Sequence, residues 1–233
     1  MRPPIGFRRQ GYIWLVKKAV YGLKQASREW EKTLFNFLTS MGFERFEGDR
    51  CVFHKDNIFL VVYVDDILLA APNMNVINEV VFVFKGKFNV HEIGEPRRFV
   101  GQQLTRNREQ KVIYLCQTEY IEKCLERFNL VNCRETVRLE KFVPTDGGKS
   151  VPKRQIQELL GCLQYLACKS RPDIVCITNR LSQEVPRPNQ HLQSSVTNVW
   201  RYLKGTKRLA IALGDLDNEN DLVISVDASF RQE

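Results

Sequence analysis

Two adjacent acids, Asp65 and Asp66, interrupt the longest apolar run of the chain, Ile58 to Pro72. That interruption constrains the fold more than any other feature. A membrane span would carry both charges at the depth where hydrocarbon tolerates them least, so a span is excluded. The run reads instead as two strands, Ile58–Tyr63 and Ile67–Ala71, joined by a tight turn at Val64-Asp65-Asp66. Repulsion between neighbouring carboxylates is about 3 kcal/mol at ~5 Å and an effective dielectric of ~20. Water relieves it on an exposed loop. A hard divalent cation such as Mg²⁺, which prefers carboxylate oxygen, relieves it better. Asp is also a favoured turn residue, so the pair alone fits an ordinary turn equally well.

The flanking sequence predicts an α+β fold. A helix is expected from Ser27, its cap, with Trp30, Leu34, Phe37, Leu38 and Met41 at helical spacing and Gly42 as its stop. Cys51–His54 and Ile58–Tyr63 flank Lys55-Asp56-Asn57 as a hairpin, so the region reads as an antiparallel meander. Ile77, Val80, Val81 and Phe84 mark another helix, and Phe99–Leu104 with Val112–Leu115 a second hairpin. A further helix follows Thr118, and after a long loop over Val131–Val151 come others carrying Ile156, Ile174 and Leu192. Leu222–Val226 reads as a strand running into Asp227. Trp30 and Trp200 are expected in the core, and Tyr12 and Trp14 are expected to pack.

Charge and cysteine content narrow the class. The formal charge is +8, and residues 1–35 hold Arg2, Arg8, Arg9, Lys17, Lys18, Lys24, Arg28 and Lys32 against Glu29 and Glu31. Arg201, Lys204, Lys207 and Arg208 form a second basic stretch. Clustered positive charge fits a polyanion partner or a solvated basic surface. Seven cysteines without a Cys-x-x-Cys spacing support neither a zinc ribbon nor a disulfide framework. Cys51, Cys162 and Cys176 have apolar neighbours, as in core use, and a reducing compartment is expected. His54, His91 and His191 share no ligand spacing and read as surface or hairpin residues. No apolar stretch of signal-peptide type follows the N-terminal Met1-Arg2-Pro3-Pro4.

The blocks around the acid pair add a resemblance. Lys18-Ala19-Val20-Tyr21-Gly22-Leu23-Lys24-Gln25-Ala26-Ser27-Arg28-Glu29-Trp30, followed by Tyr63-Val64-Asp65-Asp66, resembles the K-A-L-Y-G-L-K-Q-A-P-R-x-W and Y-V-D-D of copia-type LTR retrotransposon reverse transcriptases. Gly6-Phe7, Phe88–Gly101, Leu160–Leu166, Arg171-Pro172-Asp173-Ile174 and Arg201-Tyr202-Leu203-Lys204-Gly205-Thr206 are similar to further blocks of that family, in the same order. Ser27 stands where the family has Pro, and Val137–Val151 departs from its T-P motif.

The resemblance implies a partial polymerase palm, an antiparallel sheet with packed helices, followed by a mostly helical thumb and connection region. Expected boundaries are 1–105 for the palm, 106–150 for a thumb-like segment and linker, 151–213 for the helical connection, and 222–233 for the first strand of a ribonuclease H-like domain. It implies Asp65 as a metal ligand and Asp66 as its companion in holding Mg²⁺ (Mn²⁺ the alternative) for two-metal nucleotidyl transfer. Tyr21, Gly22, Lys24, Gln25, Arg28, Tyr63 and Val64 would line the nucleotide and template. Asp227 would be a ribonuclease H metal ligand, without ribonuclease activity here. The implied partners are an RNA template, a DNA primer, dNTPs and the rest of a retroelement polyprotein, with no membrane. The implied place is a cytoplasmic virus-like particle or the nucleus, not the secretory route. The family's third carboxylate lies on a strand upstream of Gly6-Phe7, so the chain alone is expected to be inactive. The other reading is a non-catalytic nucleic-acid-binding remnant.

Overall fold

The computed structural model describes residues 2–3, 5–145 and 148–214. It is α+β, and its contacts divide the chain into two compact units between Gly94 and Glu95.

In the first unit, helix α1 (Ala26–Ser40) precedes strands β1 (Glu44–Arg45), β2 (Val52–Lys55), β3 (Ile58–Tyr63) and β4 (Asp66–Ala70), and helix α2 (Met74–Lys87) follows. The strands form one antiparallel sheet in sequence order. Helix α1 begins one residue before the expected cap Ser27. The turn leading in already carries helical hydrogen bonding, with Ala26 N–H on the Leu23 carbonyl at 3.0 Å, so Gln25 occupies the cap position without a side-chain bond. The expected stop holds. Gly42 has φ +84°, and Phe43 N–H reaches the Leu38 carbonyl at 3.0 Å while Gly42 N–H reaches that of Thr39. These two bonds make a Schellman motif. Asn73 caps α2 by accepting from Val76 N–H at 3.1 Å.

Period-two alternation sorts the sheet's faces. Leu60 and Val62 are buried and pair with Leu69 and Ile67, so one face closes on Leu34 and Leu38 of α1 and Val80 and Phe84 of α2. Tyr63 pairs with Asp66 on the opposite face, beside the Val61–Leu68 pair. Strand β1 escaped the sequence reading because two residues give no period to detect.

The second unit starts with strands β5 (Arg98–Phe99), β6 (Gln102–Asn107) and β7 (Val112–Cys116) and helix α3 (Thr118–Arg127). Helices α4 (Lys153–Ala167), α5 (Val175–Gln183) and α6 (Gln190–Gly205) and strand β8 (Ile211–Leu213) complete it. The expected strand Phe99–Leu104 is split by a turn at Val100-Gly101, both with positive φ. The short β8 joins the antiparallel sheet beside β7, an addition the helical reading of this region lacked. Ile121, Leu125, Ile156, Leu160, Leu163, Leu181, Val196 and Trp200 share one core. The expected strand at Leu222–Val226 and Asp227 lie outside the described residues.

The second unit's charges have partners of their own, and the reading of the chain's cysteines needs a correction. Arg201 donates to the Arg134 carbonyl at 2.8 Å, Lys204 to that of Cys133 at 2.9 Å, and Lys207 pairs with Glu122 at 2.7 Å. Three of the four bases of the second stretch therefore also close a loop and a helix surface of their own unit. Of the cysteines expected in the core, Cys51 and Cys176 are exposed and Cys162 is half-buried, whereas Cys124 is buried. Apolar neighbours in sequence do not say which way a side chain faces, on a turn at Cys51 or on a helix at Cys162 and Cys176. All seven thiols are free.

Arg171 is 1% exposed. It pairs with Asp173 at 2.7 Å, and donates to the Thr206 hydroxyl at 2.7 Å and carbonyl at 3.2 Å. The Tyr202 hydroxyl donates to the same carboxylate at 2.9 Å. Burial raises the Asp173 carboxyl, but the hydrogen bonds from Arg171 and Tyr202 and the guanidinium charge outweigh it and leave its pKa below the ordinary carboxylate value.

Candidate active site

The acid pair sits at the tip of the β3–β4 hairpin. Tyr63 and Asp66 form the closing pair, so Val64 and Asp65 are the two loop residues. A two-residue loop matches the right-handed twist of its strands only with positive φ at one or both positions. Here Val64 takes φ +59°, while Asp65 is not in the positive-φ region. A β-branched residue at positive φ is strained, by about 1–3 kcal/mol.

Two side chains from the segment before the meander hold this tip. The Tyr21 hydroxyl donates to Asp65 Oδ2 at 3.3 Å. The Trp30 indole N–H donates to the Val64 carbonyl at 2.6 Å. Trp30 stands on α1, edge-on to Phe88 with ring centroids 5.4 Å apart, and Phe88 packs in turn on Phe37 at 5.0 Å. The Tyr21 phenol is raised above its ordinary pKa, first by the Asp65 charge and then by their hydrogen bond. A phenolate beside a carboxylate is disfavoured, so the hydroxyl stays a donor.

The other expected residues divide. Tyr63 is about half exposed, at 51%, on the open sheet face, and Val64 at 52% on the turn. Gly22 has φ +89° with open space where a Cβ would stand, so its glycine is needed for backbone conformation at a bare surface. Lys24, Gln25 and Arg28 lie exposed at the start of α1, and their side chains make no bond to Asp65 or Asp66. All eight basic side chains of residues 1–35 are exposed. Trp30 packs on the core as expected, partly buried, and its N–H also serves the turn. The signal for that was its place closing the Lys18–Trp30 block, which periodicity reads only as a helix face. Tyr12 differs, being 70% exposed, whereas Trp14, 44% exposed, packs on Phe7 with ring centroids 6.1 Å apart.

Carboxylate oxygens at an exposed tip are suitable donors for a hard cation, so Asp65 and Asp66 fit a Mg²⁺ or Mn²⁺ ion in kind. Among the described residues no group of three or more His, Cys, Asp and Glu side chains could hold a metal ion. The pair is therefore a partial donor set. No described helix is long and apolar enough to cross a membrane.

Residues 1–140 match the family model described as reverse transcriptase (RNA-dependent DNA polymerase). The chain is 28% identical over 235 residues to the retrovirus-related Pol polyprotein from transposon TNT 1-94 of Nicotiana tabacum, covering 93% of this chain and 18% of that one. It is 31% identical over 224 residues to the corresponding polyprotein from transposon RE1 of Arabidopsis thaliana, covering 91% and 15%. It is 27% identical over 222 residues to the putative transposon Ty5-1 protein YCL074W of Saccharomyces cerevisiae, covering 91% and 72%. The chain thus spans less than a fifth of either plant polyprotein. No solved structure gives a significant match.

Proposed function

The chain belongs to the reverse transcriptase (RNA-dependent DNA polymerase) family, and from that premise we propose that it is the palm-to-connection part of a retrotransposon polymerase whose metal-holding carboxylates are Asp65 and Asp66. The observation that carries this reading is the tethering of the Tyr63–Asp66 turn by Tyr21 and Trp30, two residues of the Lys18–Trp30 block. Separate blocks that resemble one family's motifs converge on one carboxylate-bearing tip, which an ordinary hairpin does not require.

On this reading residues 1–105 supply the palm portion, 106–150 the thumb-like segment and linker, and 151–213 the helical connection. Asp65 and Asp66 would hold a divalent metal, which when bound would supply Lewis acidity for the 3′-hydroxyl and the leaving pyrophosphate. Tyr21 keeps the Asp65 oxygen oriented, and its neutral hydroxyl adds no charge. Lys24, Gln25 and Arg28 bind template or nucleotide phosphate by charge and hydrogen bonding. Gly22 allows close approach of backbone to nucleotide. Tyr63 and Val64 line the primer terminus. The partners are an RNA template, a DNA primer, dNTPs and the rest of a polyprotein, in a virus-like particle or the nucleus.

Two carboxylates are fewer than two-metal transfer needs, so this chain by itself does not extend a primer. Purified chain with primed RNA, dNTPs and Mg²⁺ is expected to yield no extension. The same chain joined to an upstream segment bearing the family's third Asp is expected to extend, and to lose that activity in Asp65→Asn. Extension by the chain alone, or an Asp65→Asn variant as active as its parent, would falsify this reading.

A second reading, a nucleic-acid-binding remnant, is favoured by the exposed basic side chains of residues 1–35. It predicts salt-sensitive binding of an RNA·DNA hybrid. It also predicts that no upstream segment confers extension.

A further inference from the structure

The acid-bearing turn has positive φ at its first loop residue, Val64, and not at its second, Asp65. That sign pattern is type II′, whereas type I′ needs positive φ at both. Type II′ favours glycine at its first loop position, and this turn has a β-branched valine there. Something outside the turn must select the form observed.

The two turn types interconvert by a flip of one peptide plane, the one between the loop residues. Its carbonyl is that of Val64, which accepts the Trp30 indole N–H at 2.6 Å. Trp30 thus holds the one group whose rotation separates the two forms. A flip would turn over the Val64 carbonyl and the Asp65 N–H and carry Asp65 into positive φ, which Asp tolerates better than most residues, tilting but not reversing its Cα–Cβ bond against the Tyr21 hydroxyl. The indole is braced by Phe88, and Phe88 by Phe37 and Phe84, so the donor is fixed to the core of the first unit.

We infer that Trp30 is a positioning residue for the acid pair: its indole N–H selects the type II′ turn and so sets the direction of the Asp65 carboxylate. The inference rests on the reading of that turn as metal-bearing, and its test separates the two.

Trp30→Phe keeps an aromatic ring against Phe88 and removes the donor. Nuclear magnetic resonance on the full chain, with Mn²⁺ alone as the probe, reads both effects. Without metal, Trp30→Phe is expected to shift the backbone resonances of Asp65 and Asp66. With metal, broadening of the Tyr21 and Asp65 signals is expected to need roughly tenfold more Mn²⁺, the factor one hydrogen bond commands. Adding Val64→Gly to Trp30→Phe is expected to restore both readouts, because glycine favours type II′ unaided. A mere packing role for Trp30 would not be rescued by glycine in a turn. Asp65 resonances unmoved in Trp30→Phe, or unrestored in the double variant, overturn the inference. Absence of Mn²⁺ broadening at Asp65 in the unsubstituted chain overturns the metal reading instead, and the metal-free spectra still decide the role of Trp30. Thermal unfolding of each variant confirms that the spectra report folded protein.

Discussion

Tyr21 and Asp65 lie 44 residues apart and are joined by a hydrogen bond of 3.3 Å from the phenol to Oδ2. The contact ties an exposed segment without regular structure to the hairpin tip. It makes Tyr21 a reporter of the charge on the acid pair.

Asp65→Asn is expected to bring the Tyr21 phenol back toward its ordinary pKa of 10.0, because the main cause of its elevation is the Asp65 charge. The sign follows from like-charge repulsion: removing the carboxylate makes phenolate easier to form. A pH titration of the Tyr21 ring resonance in both proteins measures this. Equal midpoints would show that the two side chains do not meet.

Two helical glycines should respond to alanine with opposite signs. A Cβ on Gly161, in the middle of α4, would have nothing within 4 Å, whereas a Cβ on Gly205 would stand 2.5 Å from the Thr136 carbonyl oxygen. Gly161→Ala is expected to stabilise by about 0.5–1 kcal/mol through helix propensity. Gly205→Ala should destabilise by about 1–3 kcal/mol, because backbone must move. Urea unfolding of the two variants checks both signs.

Arg171→Met is expected to destabilise by about 3 kcal/mol, the low end for breaking a buried ion pair. The low end applies because Asp173 keeps 33% side-chain exposure and can rehydrate. The pair also sets an acid limit. Asp173 has a folded pKa lowered from 3.8, so its contribution is complete above that value and is lost as pH falls through the folded one. Unfolding measured between pH 2 and pH 6 (roughly the window linkage requires) should fall off below about pH 4 in the parent and less steeply in Arg171→Met.

Thr178 is fully buried in α5, and its hydroxyl has no hydrogen-bond partner among the described residues. Thr178→Val keeps the shape and removes an unsatisfied group. It should leave stability unchanged or raise it by up to about 1 kcal/mol, against the usual loss for a buried substitution. A loss above about 1 kcal/mol in thermal unfolding would mean that the hydroxyl is satisfied after all.

Local pattern alone was enough for the helices with long apolar stripes. Leu34 and Leu38, Ile156 through Leu166, and Leu192 through Leu203 repeat at helical spacing, and all become core. The hairpin at the acid pair was legible for the same reason, because its apolar run is broken at one point by two charges. The short strands β1 and β8 were not legible. Each is two or three residues long, and its place depends on a partner strand that has already formed.

Residue type and order in the chain determined that an acid pair caps a hairpin, that a basic and aromatic block precedes it, and which family this arrangement resembles. Tertiary structure alone decided that Trp30 directs its N–H to the Val64 carbonyl and that Tyr21 meets Asp65. It also decided that Arg201, Lys204 and Lys207 serve their own unit. The physical reason is the range of the interactions. Periodicity and turn chemistry act over a few residues, so they are written along the chain. A hydrogen bond between residues 34 or 44 positions apart depends on where packing of the whole unit brings its donor.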